Sequence, residues 1–423
     1  MFGRDHLFRA SWTLIDQAVV SLGTFAVNIF LARSLVPEEY GTFALIFSVL
    51  MLLQIINNTL VIYPLTIERA RAGDNRLNTI WSSLALMSGL SLPLASVVAF
   101  APVVLGRIDL LPVTVWWFLA CQVQETARRV LFAELHHRRA IVGDSVSYLG
   151  QAVMVLLLAL GGTLTLERVM LALAATSTAA AAIQLVQLKL RWSRPLDLVT
   201  TARHFWQIGR WSLATSLTTA LRLQGMLWLV ALLVARSETA QFQSALNIVS
   251  LVNPILFAMC NIIPQTAARA LPLGPRFAWN GMMPYAVLGF VPTAGYFLLV
   301  MAAPQAALAA FYGSQSYYLD VGLGVQLLAL AYLVNYGAEM ASAFLHGVNA
   351  ARTALRITNF GNAAAALLAI PLVLWLGWTG ACITLLLSNI VRVVASYLVL
   401  KAFMAPDASE GVVRSADTVA MGP

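Results

Sequence analysis

Charged residues interrupt several long apolar segments, and their types indicate two kinds of chemistry. Arg222 and Arg392 lie deep inside such segments. A charge at the centre of a bilayer costs on the order of 3 kcal/mol, so it usually faces a cavity or a partner. The planar guanidinium of arginine can hold a phosphate through two parallel hydrogen bonds. Both arginines are therefore candidates for binding an anionic ligand.

The acids in the apolar segments are candidates for ion coupling or for balancing these arginines. The sequence places no acid three or four residues from Arg222, so its charge requires Asp16, an acid of another helix, or an anionic ligand. Glu125 precedes Arg129 by four residues, a spacing at which the two charges can neutralise each other. The same interpretation applies to Glu339. We assign Asp16 and Glu125 a coupling or counter-charge role.

Uncharged polar residues recur in three of the apolar segments at steps of three or four, which is the spacing of one helix face. Such a stripe either lines a cavity or lets two helices approach closely, and the sequence leaves both interpretations open. Our hypothesis places in a substrate cavity, besides Arg222 and Arg392, the residues Gln17, Ser21, Thr24, Asn28, Thr215, Thr219 and Asn247.

Enzyme chemistry is disfavoured by the loops. The longest loop on the predicted outer side, 303–320, has one acid and neither arginine nor histidine. No nucleophile elbow, zinc-ligand spacing or paired-acid motif occurs. The cysteines, Cys121, Cys260 and Cys382, lie inside apolar segments and fit neither a metal site nor a disulfide framework. The sequence therefore predicts no catalytic residue, no metal and no cofactor.

The elements that position these residues are transmembrane helices. Of the 423 residues, 60% are hydrophobic and only 10% are charged, whereas soluble domains have about 25% charged residues. A spanning helix needs about 20 apolar residues. Twelve such segments predict an all-α membrane protein: 10–33, 39–63, 79–102, 112–135, 141–161, 166–188, 206–235, 240–264, 281–303, 322–346, 354–376 and 379–402.

The distribution of basic residues predicts the orientation. Of the 26 lysines and arginines, 19 fall on the side of the N-terminus and 4 on the other side. Cytoplasmic loops carry such an excess, so both termini are predicted to be cytoplasmic. Arg128, Arg138 and Arg139 are interpreted as ordinary charges of the cytoplasmic interface. This asymmetry accounts for the net charge of +8 without a nucleic-acid partner.

The chain also shows signs of duplication. The first span ends in 32–34, Ala-Arg-Ser, and the seventh ends in 235–237, again Ala-Arg-Ser; the second and eighth spans end at Pro64 and Pro264. Further matches in the same order are Glu125 with Glu339 and Gly150 with Gly361. Two six-helix halves that both start on the cytoplasmic side form a parallel repeat.

The predicted organisation follows from this repeat. An N-terminal six-helix lobe spans 1–190, a cytoplasmic linker 191–205 and a C-terminal six-helix lobe 206–404. The polar tail 405–423, rich in small residues, is predicted to be disordered and cytoplasmic. The start of the chain lacks the pattern of a cleavable signal, so we expect 10–33 to remain as the first span.

Two stretches carry a family resemblance: DQAVVSLGTFAVNIFLARSLVPEEYGTFAL, from Asp16, and RRVLFAELHHRRAIVGDSVSYLGQA, from Arg128. The first resembles the opening helix pair of the oligosaccharide flippases (the O-antigen and exopolysaccharide transporter branch) of the multidrug/oligosaccharidyl-lipid/polysaccharide exporter superfamily. It includes their Tyr/Phe-Gly-x-Phe step, here Tyr40 to Phe43. The resemblance implies a MATE-like fold with a V-shaped cavity lined by the first two spans of each half.

The resemblance also implies a function: export of a lipid-linked glycan, usually on undecaprenyl pyrophosphate, across the bacterial inner membrane for surface polysaccharide synthesis. The implied partners are this lipid-linked glycan, the bilayer, and the glycosyltransferases and polymerase of the same pathway. Our hypothesis is a proton- or ion-coupled flippase that works by alternating access. In it Arg222, with Arg392, holds the pyrophosphate, the polar stripes contact sugars, and Asp16 serves coupling.

Several alternatives remain. The first is a multidrug or small-solute antiporter on the same fold, in which Asp16 would bind a cationic substrate. A major facilitator is disfavoured because the loop 66–79 lacks the Gly-x-x-x-Asp signature followed by paired basic residues. A membrane polymerase is disfavoured by the loops. The lipid II flippase branch is disfavoured because the chain lacks its two additional C-terminal spans.

Overall fold

The computed structural model describes residues 4–71, 76–134, 136–190 and 198–404, and within these ranges the chain is helical without a strand. It divides into two compact units, Met1–Ser244 and Ala245–Pro423, which we describe separately. Residues 191–197 of the predicted linker and the predicted tail 405–423 lie outside the described residues.

Unit 1 consists of nine helices and most of a tenth, several of them continuous with a neighbour. They are α1 (Arg4–Ser34), α2 (Pro37–Asn57), α3 (Tyr63–Arg71), α4 (Arg76–Val104), α5 (Leu111–Ala133), α6 (His137–Asp144), α7 (Gly150–Leu160), α8 (Leu166–Leu188), α9 (Leu198–Leu233) and α10 (Arg236–Ser250). One π-helical turn, Asn58–Ile62, joins α2 to α3, and a second, Ser145–Leu149, joins α6 to α7. A 3₁₀ turn, Ile108–Leu110, precedes α5.

The second predicted span does not end at Pro64. The helical segment Pro37–Glu68 is 32 residues long and apolar enough to cross a membrane as one span. A proline removes one backbone hydrogen bond and its ring crowds the preceding turn. The wider π turn directly before Pro64 gives the ring room, so the helix passes through the proline.

The core of unit 1 forms where six helices meet. Its buried apolar residues include Leu65 of α3, Ile80 of α4, Leu131 of α5 and Phe205 of α9. The helix α9 also packs against α2, and the Trp228 indole donates to the Ser48 hydroxyl at 2.9 Å. In this structure α9, the first span of the predicted second lobe, is therefore part of unit 1. The predicted lobe boundaries stay a prediction.

Unit 2 begins within α10 and continues with α11 (Asn253–Ala270), α12 (Pro275–Ala302), α13 (Pro304–Tyr312), α14 (Gly322–Gly347), α15 (Ala351–Leu376) and α16 (Trp378–Phe403). Two 3₁₀ turns, Leu271–Leu273 and Tyr317–Val321, precede α12 and α14. Pro264 lies inside α11, so the eighth predicted span also continues past its proline. The predicted outer loop 303–320 contains a short helix, α13.

Contacts within the units agree with the predicted duplication. The fourth and sixth predicted spans pack together in each half, as α5 with α8 and as α14 with α16. The fifth and sixth predicted spans also pack together in each half, as α7 with α8 and as α15 with α16. A Cβ on Gly150 of α7 would lie 3.6 Å from Thr176 of α8. A Cβ on its predicted counterpart, Gly361, would lie 2.2 Å from Cγ of Arg392, so only glycine lets this arginine pass.

The count of spans follows from length and composition. Among the described residues ten helical segments qualify, and an eleventh forms if α10 and α11, bent by 54° at their break, are one span. Pro254 lies in the first turn of α11, which explains the bend. The remaining predicted span, the fourth, corresponds to α5, 23 residues long, which contains Glu125, Arg128 and Arg129. The all-α membrane fold class is confirmed.

Candidate functional site

A buried arginine joins three helices of unit 1. Arg128 of α5 is only 6% exposed. Its Nε donates to Asp144 Oδ2 of α6 at 2.6 Å, and its Nη2 donates to Asp16 Oδ2 of α1 at 2.6 Å. Its Nη1 donates to Glu125 Oε2 at 3.1 Å. The guanidinium therefore holds α1, α5 and α6 together through three carboxylates.

The surroundings of this cluster complete most of its hydrogen bonds. Gln184 of α8 donates to the second oxygen of Asp144 at 3.0 Å, and Arg129 Nε donates to Glu125 Oε1 at 2.6 Å. Oδ1 of Asp16, in contrast, is buried without a hydrogen-bond partner in the described part of the chain. One carboxylate oxygen is thus left with an unused acceptor position.

The distribution of charge in this cluster is uneven. Nε and Nη2 lie on the same edge of a guanidinium, so the carboxyl groups of Asp16 and Asp144 are close together. Both residues are at most 1% exposed. Within the cluster three carboxyl groups, those of Asp16, Asp144 and Glu125, face two guanidinium groups, those of Arg128 and Arg129.

This geometry bears on three interpretations of the sequence. Arg128 is not an ordinary interface charge but the centre of the buried cluster. Asp16, one of the alternatives considered for balancing Arg222, is bound by Arg128 instead. The predicted pairing of Glu125 with Arg129 is confirmed.

A cavity of about 190 Å³ lies within unit 1, between α1, α2, α5, α7 and α8. Phe43, Phe47 and Trp117 form an aromatic wall. The ring of Trp117 lies nearly parallel to Phe43 and Phe47, with centroid distances of 6.1 and 6.0 Å. Aromatic carbon therefore makes up much of this side of the lining.

Amide and hydroxyl groups supply the polar part of the lining. Gln151 Nε2 donates to Ser147 at 3.3 Å and to Ser177 at 3.2 Å, and Ser147 donates to Gln124 Oε1 at 3.1 Å. Gln54 also lines the cavity. None of the residues that line it is charged. The cavity therefore offers donors and acceptors beside aromatic faces, without an ionic group.

A π turn positions both the cavity and the cluster. Asp144 ends α6, and Ser147 and Tyr148 belong to the turn that follows it. The helix α1 passes so close that a Cβ on Gly23 would lie 2.7 Å from the backbone carbon of Tyr148. Such π turns are frequent at functional sites. Here the turn lets one short segment supply an acid to the cluster and a hydroxyl to the cavity.

The residues of the predicted polar stripes have different positions. Thr24 and Asn28 line the cavity, and the Tyr40 hydroxyl donates to Asn28 Oδ1 at 3.4 Å. Gln17 donates to Ser21 at 3.5 Å, one turn before the cavity. Two others bond within their own units: Thr219 to the carbonyl of Thr215 at 2.9 Å, and Asn247 to the Tyr312 hydroxyl at 3.3 Å.

The two candidate phosphate-binding arginines differ in environment. Arg392 is 2% exposed, and donates to Asn335 at 2.6 Å and to Glu339 at 3.0 Å. Nη1 and Nη2 are thus bound by protein groups, whereas the buried Nε has no hydrogen-bond partner among the described residues. Arg222 is partly exposed on α9. Only 17% of the spanning part of α9, Ser212–Leu233, is buried, against 28–50% for the other nine spans. Arg222 therefore lies on the least covered span.

A second ionic cluster lies at the start of α5, the end of this helix opposite Arg128. Arg107, between α4 and α5, forms ion pairs with Glu39 at the start of α2 and with Asp109 at 2.8 Å. The hydrogen bond from Arg107 lowers the pKa of the Asp109 carboxyl below its usual range. Arg236 of α10 donates to the Leu105 carbonyl at 2.7 Å. These contacts join the ends of α2, α4 and α10.

Four residues of the cluster and the cavity were not predicted as site residues: Asp144, Phe47, Trp117 and Gln151. Asp144 had a detectable signal, because it is an acid inside a predicted span. The aromatic wall had none, since aromatic residues are common throughout membrane helices. Within the described ranges, no group of three or more histidine, cysteine or acidic side chains is arranged to hold a metal ion.

Comparisons with known proteins place this fold. No protein-family model and no curated protein matches the sequence. A solved MATE-family multidrug resistance transporter of the MOP superfamily, in an inward-facing conformation, is 15% identical; the match covers 92% of this chain and 98% of that chain, with a TM-score of 0.75. The lipid II flippase MurJ, in an inward closed conformation, is 11% identical over 93% and 87% of the two chains, with a TM-score of 0.76.

A third solved structure, 15% identical, is a MOP superfamily transporter from Pyrococcus furiosus. Its description says that the reversed polarity of its binding pocket suggests a different function. The match covers 93% of this chain and 94% of that one, with a TM-score of 0.63. The chain therefore has the fold of MOP superfamily transporters, and the MATE-like fold class is confirmed.

Proposed function

We propose that the chain is a flippase that moves a lipid-linked oligosaccharide across the bacterial inner membrane by alternating access, for the synthesis of a surface polysaccharide. The observation that carries this proposal is the uncharged cavity of unit 1, with aromatic rings on one wall and amides and hydroxyls on the rest. The fold shared with transporters supports transport as the activity.

The chemistry of the cavity suits a sugar ring. A pyranose has C–H faces that stack on aromatic side chains and a rim of hydroxyls that pair with amides and other hydroxyls. The cavity holds about 190 Å³, whereas pockets for drug-sized ligands hold about 300–1,000 Å³. It offers no carboxylate for a cationic drug. One neutral sugar unit therefore fits this site better than a drug.

The charged parts of the carrier have separate candidates. Arg222 is proposed to bind the pyrophosphate, because it is partly exposed on α9 and its fork matches phosphate oxygens. Arg392 is reassigned to a structural ion pair with Glu339. Asp16 and Asp144 are proposed as the coupling pair, which shares one proton or one bound cation beside Arg128. Glu125 serves as a counter-charge to Arg128 and Arg129.

The comparisons lend support at a coarser level. The structure of a lipid II flippase superposes on most of the chain, which supports the proposal that this fold moves a lipid-linked substrate. The excess of basic residues on the side of the N-terminus supports cytoplasmic termini. Undecaprenyl pyrophosphate as the carrier, and glycosyltransferases and a polymerase as partners, are implied by the family resemblance and belong to the proposal.

The test compares two adjacent tryptophans of α5 in a strain that lacks the chromosomal gene. Trp117 lines the cavity, whereas Trp116 is 42% exposed and does not. Trp117→Leu should reduce surface glycan at least tenfold, and Trp116→Leu should leave it unchanged, at equal amounts of protein in the membrane. Gln151→Met, which keeps the side-chain volume, should also reduce it. Normal glycan in both cavity variants would contradict the proposal, and loss of drug resistance instead would favour the antiporter.

A further inference from the structure

A basic groove of about 650 Å³ lies in unit 2, at the ends of α12 and α16. The first turns of α12 contribute Arg276 and Trp279, and the last turns of α16 contribute Tyr397 and Lys401. The spanning segment of α12 begins here and that of α16 ends here. The groove therefore lies at the level of the membrane interface. The distribution of basic residues predicts that this is the cytoplasmic side.

The packing of α14 holds the groove open. The ring of Phe344 on α14 contacts Trp279 of α12 edge to face, with a centroid distance of 5.0 Å. On its other side it contacts Phe403 of α16 edge to face at 6.4 Å. A third helix thus separates the ends of α12 and α16, and the walls of the groove are fixed by buried aromatic contacts.

The groove presents positive charge that is only partly used by the protein. Nε of Arg276 donates to the carbonyl of Met404, the residue after α16, at 3.0 Å. The other guanidinium nitrogens of Arg276 and the ammonium of Lys401 have no ion pair with an acid in the described part of the chain. The N-terminus of α12 adds a positive dipole end. The Asn280 amide supplies a further donor.

Two apolar stripes lead away from this charge along the helices. On α16, Tyr397, Val394 and Ile390 follow Lys401 at steps of three or four and are 64%, 52% and 40% exposed. On α12, Met283 and Val287 follow Asn280 at the same steps and are 36% and 55% exposed. A soluble phosphate would not use these surfaces, but the hydrocarbon chain of a lipid would lie along them.

We propose that this groove binds the phosphate headgroup of a membrane lipid, with Arg276 and Lys401 on the phosphate and the lipid chain along α12 and α16. Trp279 and Tyr397 lie at the depth of the headgroup, where amphipathic aromatic rings are favoured. Basic pockets at the cytoplasmic end of spans recognise lipid phosphates by this chemistry. The site shares no lining residue with the sugar cavity and does not depend on the proposed function.

The experiment measures lipid binding to the detergent-solubilised full-length chain by native mass spectrometry. The probes are phosphatidylglycerol, undecaprenyl phosphate and, as a soluble phosphate, inorganic phosphate. The groove variant Arg276→Gln with Lys401→Gln is compared with Arg352→Gln and Arg356→Gln. The control pair removes the same charge from exposed positions at the start of α15 in the same unit.

The proposal predicts that the groove variant loses at least about tenfold in affinity for the lipid phosphates, and the control pair less than about threefold. Excess inorganic phosphate should not displace the lipid. Preference for undecaprenyl phosphate would identify the groove as a contact for the carrier lipid, and equal binding of phosphatidylglycerol would identify it as a general lipid-phosphate site. Equal losses in the two variants, or full displacement by inorganic phosphate, would overturn the proposal. Thermal unfolding of both variants checks that they are folded.

Discussion

The buried cluster around Arg128 predicts an asymmetry between removing its cation and removing one of its acids. Arg128→Gln leaves Asp16 and Asp144 facing each other without a cation in a site that is at most 1% exposed. Removing one partner of a buried ion pair typically costs about 3–5 kcal/mol, because the remaining charge is uncompensated. At about 2–4 °C per kcal/mol for a unit of roughly this size, the unfolding midpoint should fall by about 6–20 °C.

Asp144→Asn should be much milder. The asparagine oxygen can still accept from Nε of Arg128. Its NH2 group can donate to Oε1 of Gln184, which has no partner in the described part of the chain, once the Gln184 amide turns over, while Asp16 alone balances the guanidinium. Loss of the ionic character of one hydrogen bond costs about 1 kcal/mol, which corresponds to about 2–4 °C. Combining Arg128→Gln with Asp16→Asn and Asp144→Asn removes every unbalanced charge, so most of the lost stability should return.

The assay is thermal unfolding of the detergent-solubilised protein, followed by tryptophan fluorescence, with membrane levels as a check on insertion. The reasoning would be refuted if Arg128→Gln unfolded within about 2 °C of the wild type. It would also be refuted if Asp144→Asn lost as much stability as Arg128→Gln, because the cluster would then not hold an excess of negative charge.

Two further predictions concern close packing and pH. Gly23→Ala should destabilise unit 1 by about 1–3 kcal/mol, because the new Cβ would meet the backbone of the turn between α6 and α7. Gly225→Ala, whose Cβ would have no atom within 4 Å, should be neutral or stabilising by up to about 1 kcal/mol. Equal unfolding midpoints of the two variants would contradict this difference. The lowered pKa of Asp109 gives stability at neutral pH that is lost as pH falls through that pKa. Arg107→Gln should therefore reduce the loss of unfolding free energy below a pH of about 4. The change should be less than about 1 kcal/mol, because Asp109 is exposed. Urea titrations at a series of pH values would detect it, and an unchanged acid sensitivity would contradict the prediction.

Much of the fold was accessible from the sequence. Long apolar segments must be helices in a bilayer, since only closed backbone hydrogen bonding is tolerated there. The prolines were the exception. Both Pro64 and Pro264 were predicted to end a span, and both lie within continuous helical segments. A π turn comes before Pro64, and Pro264 lies in the interior of α11.

The candidate site was predicted only in part, because a sequence does not fix the rotation of a helix. Arg128 and Arg129 are adjacent and both lie within one turn of Glu125. They point about 100° apart on the helix, and only the structure shows that Arg128 faces Asp16 and Asp144. The stripe containing Thr24 and Asn28 was identified correctly as polar, but its aromatic counterpart on α2 and α5 has no sequence signature.

The central claim, transport of a lipid-linked glycan, is tested most directly by the carrier lipids of a strain that lacks the gene. Lipid extracts should contain an accumulated polyprenyl-pyrophosphate-linked glycan, and protease-free spheroplasts should show that it is inaccessible to glycosidases added outside. Wild-type protein should clear it, and the Trp117→Leu variant should not. Unchanged levels and unchanged sidedness of all lipid-linked glycans in the deletion strain would contradict the account.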